Sequence, residues 1–292
     1  MRFLLLAAVL LHTPAHVDAG SQGKPVAQAQ AVMAGTRLLE ESVASPALGR
    51  TMNYRVLLPD GYAGSLKRYP VLYLLHGLGG DYKDWTSRSN LADYSRPLPL
   101  IIVMPDGENQ WYTNSADGTA RFEDYVLTDL QADVVKKFRT VNSRYGRSIA
   151  GLSMGGYGAL KLALKRPAAF AVAGSFSGAL NAARAGELES RIGKTEADRM
   201  QKIFGPAGSE TRQTNDVFAL AATLKPPGAP YLYLDCGTAD GLLAANREAV
   251  AALHKSGVAY EYHEVAGAHT WDYWDRRIRE FLPVLMKKLA NQ

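Results

Sequence analysis

The sequence predicts an α/β fold in which a mostly parallel β-sheet carries helices on both faces. Two observations lead to it. Continuous apolar runs of strand length, such as YPVLYLLHG at 69–77, are typical of strands that are covered on both faces. These runs alternate with segments of helical periodicity, such as 123–139, and such alternation indicates a parallel sheet. The 292 residues, 47% of them hydrophobic, suit one large globular domain.

The elements follow in chain order. Two β-rich runs at 36–45 and 50–62 are separated by PALG, which is typical of a turn between antiparallel strands, so we expect the sheet to open antiparallel. Parallel strands are predicted in six later segments, at 69–77, 98–107, 147–153, 170–178, 231–237 and 260–267. Helices are predicted at 123–139, at 154–166 and near the C-terminus, where apolar residues recur on one side.

Two segments lie outside this alternation. Residues 1–19 combine Arg2, a short apolar run and small residues at Val17 and Ala19, a pattern typical of a secretory signal cleaved after Ala19. The run is too short to span a bilayer; a buried N-terminal helix is the alternative. A linker at 20–36 and a catalytic domain at 37–292 would follow, in a secreted or periplasmic protein. An insertion at about 181–224 is charged and weakly periodic, and we expect it to form a short cap over the strand ends.

Charge and cysteine content exclude several classes of partner and site. Cys236 is the single cysteine, so the chain has no intrachain disulfide and no cysteine-based metal cluster. The net charge is +5, but many of the basic residues lie on helix-periodic segments, which favours solvated helix faces over a nucleic-acid partner.

Ser153 lies in the pattern GxSxG, between Gly151 and Gly155, with a predicted strand before it and a predicted helix after it. So tight a turn needs nearly bare flanking residues, and it presents the serine hydroxyl at the helix N-terminus as a nucleophile. The alternative is a tight turn with an incidental serine.

A serine nucleophile needs a general base, and the base needs an orienting carboxylate. Asp240 follows the strand YLYLDCG and His269 follows the strand YEYHEVAG, each in a loop. Alone, Asp240 could be a turn former and His269 a packed ring, but the order Ser, Asp, His at successive strand ends favours a catalytic triad. Asp235 competes for the acid role; we prefer Asp240 because Asp235 still lies within its strand.

The segment HGLGG at 76–80 follows a strand, and its glycines allow a close approach to the nucleophile. We assign the oxyanion-hole donors to the backbone N–H groups of Leu78 and Met154. A phosphate loop is disfavoured because no GK[ST] follows, and the absence of HExxH and of paired cysteines implies no metal and no other cofactor.

Six segments carry a resemblance to a known family. PVLYLLHGLGG, WYTNS, AGLSMGGYGALKLAL, SGAL, DCGTAD and GAHTWDYW resemble, in this order, the esterase family of α/β hydrolases. The family includes feruloyl esterases, S-formylglutathione hydrolases and mycolyltransferases. The resemblance covers about residues 37–285 and implies an α/β-hydrolase fold with its triad at Ser153, Asp240 and His269. Mycolyltransferases differ in carrying a glutamate where Asp240 stands.

The expected activity is hydrolysis of carboxylic esters through an acyl-enzyme, on short acyl and feruloyl-type esters that are small or linked to a polysaccharide. Acyl transfer to a sugar or other alcohol, an S-formylglutathione hydrolase-like thioesterase and a silent binding protein are the alternatives. The predicted signal argues against the thioesterase, since those enzymes are usually cytoplasmic. Trp111, Tyr112 and Trp271 are candidate substrate contacts near the strand ends. The sequence leaves the oligomeric state open.

Overall fold

The computed structural model describes residues 37–291 except 185, 187, 188 and 227. The predicted signal at 1–19 and linker at 20–36 therefore lie outside the described residues. Among the helices that are described, none combines the length and apolar character needed to cross a membrane.

Eight strands of the described chain form one sheet, and the parallel character predicted from the sequence is confirmed. The strands are β1 Leu38–Ser45, β2 Arg50–Leu57, β3 Val71–Leu75, β4 Ile101–Pro105, β5 Arg147–Leu152, β6 Val172–Phe176, β7 Tyr231–Gly237 and β8 Tyr260–Val265. Their order is β1-β2-β4-β3-β5-β6-β7-β8. β2 pairs antiparallel with both β1 and β4, and every other pair is parallel.

Helices connect the strands and also fill the predicted insertion. They are α1 Asp84–Ser87, α2 Leu91–Tyr94, α3 Phe122–Asp124, α4 Leu130–Lys137, α5 Met154–Lys165, α6 Lys194–Phe204, α7 Glu210–Asn215, α8 Val217–Thr223, α9 Leu243–Ser256 and α10 Trp271–Ala290. A π-helical turn at Tyr125–Asp129 joins α3 to α4 within the helix predicted at 123–139. Short 3-10 turns cover Arg144–Gly146 and Glu189–Arg191.

The core has two parts, one on each face of the sheet. Alternate residues of β3 separate them: Tyr73 belongs to one part and Leu74 to the other. The first part is covered by α4, α5, α8 and α9, and the second by α1, α2 and α10. The predicted α/β-hydrolase architecture, with helices on both faces, is therefore confirmed.

A buried ion cluster fixes the nucleophile helix α5 to the neighbouring loop. Lys161, whose side chain is fully buried, donates to Glu123 at 3.0 Å and to the backbone carbonyl of Tyr112 at 2.6 Å. Lys165 donates to the same carboxylate at 2.8 Å. Burial raises the pKa of Glu123, but the two ammonium groups outweigh it and hold the pKa at about 2.

Replacing Glu123→Gln should therefore lower the free energy of unfolding at pH 7 by about 3–5 kcal/mol, because Lys161 is left buried without its counter-charge. The carboxylate stabilises the fold fully above its ordinary pKa of 4.5, and the stabilisation is lost as the pH falls towards about 2. Urea unfolding at a series of pH values measures the free energy of unfolding of the variant and of wild type. The difference between the two free energies should become smaller below pH 4.5. Glu210→Gln, at an exposed position, is the control and should differ from wild type by less than about 1 kcal/mol. If the difference in free energy of unfolding stayed constant at all pH values, the ionised carboxylate of Glu123 would not be the source of the stabilisation.

Candidate active site

Ser153 lies at the turn between β5 and α5 in a strained backbone conformation, with φ of 52° and ψ of −117°. Its N–H donates to the carbonyl of Phe176 at 3.0 Å, which ties the turn to β6. The flanking glycines are a steric requirement: a Cβ on Gly155 would lie 2.5 Å from the carbonyl oxygen of Leu75, and one on Gly151 would lie 2.5 Å from the backbone of Gly155. The turn therefore accepts no larger residue at either flank.

The structure brings three of the predicted residues into one hydrogen-bonded row. His269 Nε2 lies 2.9 Å from Ser153 Oγ, and His269 Nδ1 lies 2.8 Å from Asp240 Oδ2. Asp240 comes from the loop after β7 and His269 from the loop after β8, so parallel strands place both beside the turn at Ser153. The Asp240 carboxylate is buried, whereas 37% of the His269 side chain is exposed. The base therefore faces the solvent side of the site and its orienting acid does not.

Hydrogen bonds keep Asp240 ionised despite burial. Burial raises its pKa, but donors from His269 and from the backbone N–H of Leu242 at 2.9 Å outweigh this, and the pKa lies below its usual value. A carboxylate in this state can hold the proton of His269 on Nδ1 and support a positive charge on the ring.

Asp235, the rival acid, has other partners. It is fully buried and accepts hydrogen bonds from the hydroxyl of Tyr273 at 2.9 Å and from Nε of Arg277 at 3.1 Å. No hydrogen bond in the described chain joins it to His269. This placement assigns Asp235 to a buried ion pair between β7 and α10.

The loop at 76–80 folds into a turn in which the N–H of Gly80 donates to the carbonyl of Gly77 at 3.1 Å. Gly79 has a φ of +77°, which glycine adopts at little cost. The buried ring of His76 holds this turn: it accepts from the N–H of Gly107 on Nε2, so Nδ1 carries the hydrogen and donates to the Gly77 carbonyl, both at 2.8 Å. The carbonyl is thus turned towards His76 and Gly80.

The two predicted N–H donors belong to residues on either side of the nucleophile turn. Leu78 lies in the turn at 76–80 and lines the pocket beside Ser153. Met154 is the first residue of α5, a position at which the N–H has no acceptor within the helix. The helix dipole adds positive potential there, which favours a developing anion. The arrangement suits stabilisation of an oxyanion next to Ser153 Oγ.

A pocket of about 720 Å³ opens on Ser153 and His269. Its walls come from separate loops and from the insertion. The lining residues are Gly77, Leu78, Gly79, Gly80, Asp84, Arg88, Trp111, Leu152, Ser153, Ala179, Arg191, Ile192, Asp240, Gly241, Leu242, His269, Thr270, Trp271 and Trp274. Among the described residues, no three or more His, Cys, Asp or Glu side chains are grouped to hold a metal ion.

The three predicted substrate contacts are placed differently. Trp271 is half-buried and lines the pocket, and Trp111 lines it while only 2% exposed. Tyr112, the third candidate, does not line the pocket: its ring is fully buried and its hydroxyl donates to the carbonyl of His76 at 3.0 Å. It packs beneath the turn at 76–80, where a Cβ on Gly107 would lie 2.2 Å from its ring, so it supports the site from below.

Sequence reasoning missed several parts of the wall. Arg88 follows α1 and Arg191 ends the 3-10 turn in the insertion, and both line the pocket. From the sequence, His76 is identified only as the first residue of the segment HGLGG, and no role in holding the turn is assigned to it. The signal for His76 was its position directly before that segment, but no local pattern distinguishes Arg88 or Arg191 from other exposed arginines.

Comparison with known proteins agrees with this geometry. The sequence model of the putative esterase family matches residues 45–285. The acetyl esterase of Caldicellulosiruptor saccharolyticus is 30% identical over 212 residues, which cover 71% of this chain and 80% of that protein. The diacylglycerol acyltransferase/mycolyltransferase Ag85B of Mycobacterium leprae is 26% identical over 278 residues, covering 85% of this chain and 83% of that protein.

Among solved structures, FphF, a fluorophosphonate-binding serine hydrolase of Staphylococcus aureus, superimposes with a TM-score of 0.76 and 27% identity, covering 86% of this chain and 98% of FphF. The family model alone spans most of the chain, and the fold is the one that the sequence resemblance implied. The chain therefore belongs to the putative esterase family of α/β hydrolases, and it is a carboxylic ester hydrolase.

Proposed function

We propose that the protein hydrolyses carboxylic esters through an acyl-enzyme on Ser153, with His269 as general base and Asp240 as its orienting acid. The observation that carries the proposal is the row of hydrogen bonds from Ser153 Oγ through His269 to Asp240, at 2.9 and 2.8 Å. The row ends in the pocket, where an ester can reach the serine.

In the acylation step, Ser153 Oγ attacks the ester carbonyl while His269 Nε2 takes the hydroxyl proton. The negative charge that forms on the carbonyl oxygen is stabilised by the N–H groups of Leu78 and Met154. His269, now positively charged beside Asp240, donates its proton to the leaving alcohol oxygen as the tetrahedral intermediate collapses. The acyl group stays on Ser153.

In the second step, an acceptor oxygen attacks the acyl-enzyme, and His269 again takes and returns the proton. Water is the default acceptor because the pocket opens to solvent and 37% of His269 is exposed. Transfer to an alcohol or sugar is the second candidate, which the similarity to the mycolyltransferase Ag85B favours. The same triad serves both reactions, so only the acceptor differs. An S-formylglutathione hydrolase-like thioesterase activity is a further candidate, which the sequence resemblance and the similarity to the S-formylglutathione hydrolase FrmB of Staphylococcus aureus favour.

Two measurements test the proposal. Reaction with a fluorophosphonate should label one residue, and peptide mass spectrometry should find the label on Ser153 and not on the exposed Ser87. Hydrolysis of a chromogenic acetyl ester, run with and without added glycerol, should release free acetate in both cases. Predominant formation of acetylated glycerol would favour the transferase, and labelling at a residue other than Ser153 would contradict the mechanism.

We further propose that Trp271 and Trp111 contact the substrate and allow feruloyl-type esters to bind beside short acyl esters. Trp271 packs edge-to-face on Trp85, with ring centroids 5.4 Å apart, and on Trp274 at 5.5 Å, so its ring is held in one orientation at the pocket wall. Trp111 is held in the same way by Tyr157 at 5.8 Å, and its indole N–H donates to Glu196. Rigid aromatic walls favour flat aryl groups.

Trp271→Leu should lower kcat/KM for methyl ferulate about 2- to 10-fold more than for methyl butyrate, because stacking contributes about 0.5–1.5 kcal/mol per ring pair beyond buried area. Parallel steady-state kinetics on the two methyl esters measure this ratio. Tyr145→Leu, at an exposed aromatic residue outside the pocket, is the matched control and should leave the ratio unchanged. An equal loss of kcat/KM on both esters would show that Trp271 only supports the pocket wall and does not stack on the aryl group.

Export is part of the proposal, and it rests on the sequence of residues 1–19. Protein recovered from the periplasm or medium of its native host should begin at or near Gly20 when its N-terminus is read by mass spectrometry. Recovery of full-length chain from the cytosol alone would contradict export, and it would favour the thioesterase candidate.

A further inference from the structure

Two arginines that line the active-site pocket make no ion pair with the described residues. Arg88 and Arg191 are both exposed, and within the described part of the chain neither guanidinium lies within ion-pair distance of an acidic side chain. Most other arginines of the described chain are paired, including Arg184, Arg212 and Arg277. The two free guanidinium groups thus coincide with the pocket that contains the nucleophile.

Each of the two is held at the wall by a contact that leaves its donors available. The Arg88 guanidinium lies over the ring of Trp271, 5.0 Å from its centroid. Stacking on the face of a ring leaves the N–H groups at the edge of the guanidinium free. Arg191 makes one long hydrogen bond, of 3.4 Å, to the carbonyl of Gly241. Five N–H donors on each side chain exceed what these contacts use.

The ionisable groups among the described residues of the wall carry a net positive charge. Asp240 and His269 are engaged with each other, which leaves Asp84 as the remaining carboxylate among the lining residues. Burial raises the pKa of Asp84, while the charge of Arg88 lowers it to a smaller extent. Two guanidinium groups and one carboxylate therefore line the described wall, and the carboxylate lies on the same segment as Arg88.

The two arginines also contact the loops that carry the base and its orienting acid. Arg88 stacks on Trp271, two residues after His269, and Arg191 contacts Gly241, the residue after Asp240. In the proposed mechanism His269 gives its proton to the alcohol oxygen, and on this ground we assign these two loops to the alcohol half of the ester.

We propose that Arg88 and Arg191 form an oxyanion-binding subsite, so that the preferred substrates are esters whose alcohol half carries a carboxylate or a phosphate. This inference rests on the proposed function, because it assigns the leaving-group side from the role of His269. A guanidinium fork matches both groups, since each presents two oxygens to two parallel N–H donors.

The test compares isosteric substrates that differ in one charge. The substrates are ω-acetoxy carboxylates of three to six carbons, the corresponding ω-acetoxy amides, and ω-acetoxyalkyl phosphates. The wild-type enzyme should turn over an anionic ester with kcat/KM about 10-fold above that of the amide, a ratio typical of charge-assisted hydrogen bonds. The ratio should fall as salt is added. The carboxylate and phosphate series show which of the two anions is preferred.

Variants that remove a positive or a negative charge from the pocket wall make the test specific. Arg88→Gln and Arg191→Gln should each lower the ratio of anionic to amide ester about 3-fold or more, and Asp84→Asn should raise it. Arg166→Gln is the matched control: Arg166 is an exposed arginine at the far end of α5 from Ser153 and does not line the pocket. It should leave the ratio unchanged, and it should hydrolyse 4-nitrophenyl acetate at the wild-type rate.

The outcomes separate the subsite from the mechanism. Equal turnover of anionic and amide esters by wild type, or a ratio that neither arginine variant changes, would overturn the subsite while leaving the mechanism intact. A preference seen only when the charge is on the acyl half, tested with butyl hydrogen succinate against butyl succinamate, would also overturn it. Failure of the mechanism shows differently, as retained turnover of every ester by Ser153→Ala.

Discussion

Ser153→Ala is expected to lower ester hydrolysis by about four to six orders of magnitude, the scale of loss when a triad serine is removed from a serine hydrolase. The variant has no hydroxyl to attack the carbonyl, while the oxyanion donors and the pocket remain. Alanine meets the same backbone strain as serine at a φ of 52°, so the fold should be retained. Initial rates on 4-nitrophenyl acetate, with circular dichroism to establish folding, measure the effect.

Ser87→Ala is the control for loss of a serine hydroxyl, because Ser87 is exposed on α1 and is not part of the pocket wall. It should retain full activity. If purified Ser153→Ala kept a tenth of the wild-type rate, another nucleophile would have to be sought.

The second large effect separates the two aspartates at the end of β7. Asp240→Asn should lower turnover by about four orders of magnitude, as when the corresponding carboxylate of a serine protease is replaced by its amide. The amide keeps the shape of the side chain but cannot stabilise a positive charge on His269, and it favours the wrong tautomer. Single-turnover rates on a chromogenic ester measure the loss without interference from product release.

Asp235→Asn is the matched comparison, the same substitution five residues earlier. It leaves Arg277 buried with one charge partner fewer, so we expect a loss of about 3–5 kcal/mol in the free energy of unfolding. Turnover per folded molecule should change far less than in Asp240→Asn. A larger loss of turnover at 235 than at 240 would reverse the assignment of the orienting acid.

The sequence was most informative where local geometry leaves few alternatives. Gly151 and Gly155 have no room for a Cβ, so the turn at Ser153 is visible as a pattern of bare residues around one hydroxyl. Asp240 and His269 follow recognisable strands, and the carboxyl ends of neighbouring parallel strands meet at one edge of a sheet. The placement of these three residues could therefore be predicted without coordinates, although their catalytic roles stay predictions until the variants are measured.

The sequence does not predict which side chains in the loops line the pocket and which are buried beneath it. Trp111 and Tyr112 are neighbours in sequence, yet one lines the pocket and the other is buried beneath the turn at 76–80. Both residues adopt positive φ values, of 54° and 51°, and no rule of alternation applies to such a loop. Arg191 lines the pocket from within the insertion, and this position depends on contacts between segments that are far apart in the sequence.

The strained turn also has an evolutionary consequence. A non-glycine residue with a φ of 52° and a ψ of −117° costs about 1–3 kcal/mol, which glycine at the same position would avoid. Selection for stability alone therefore acts against serine at residue 153, and only selection for chemistry retains it. A descendant lineage released from catalysis would gain stability by drifting to glycine there, without any compensating change elsewhere. The identity of this one residue thus records whether purifying selection on catalysis has continued in a lineage.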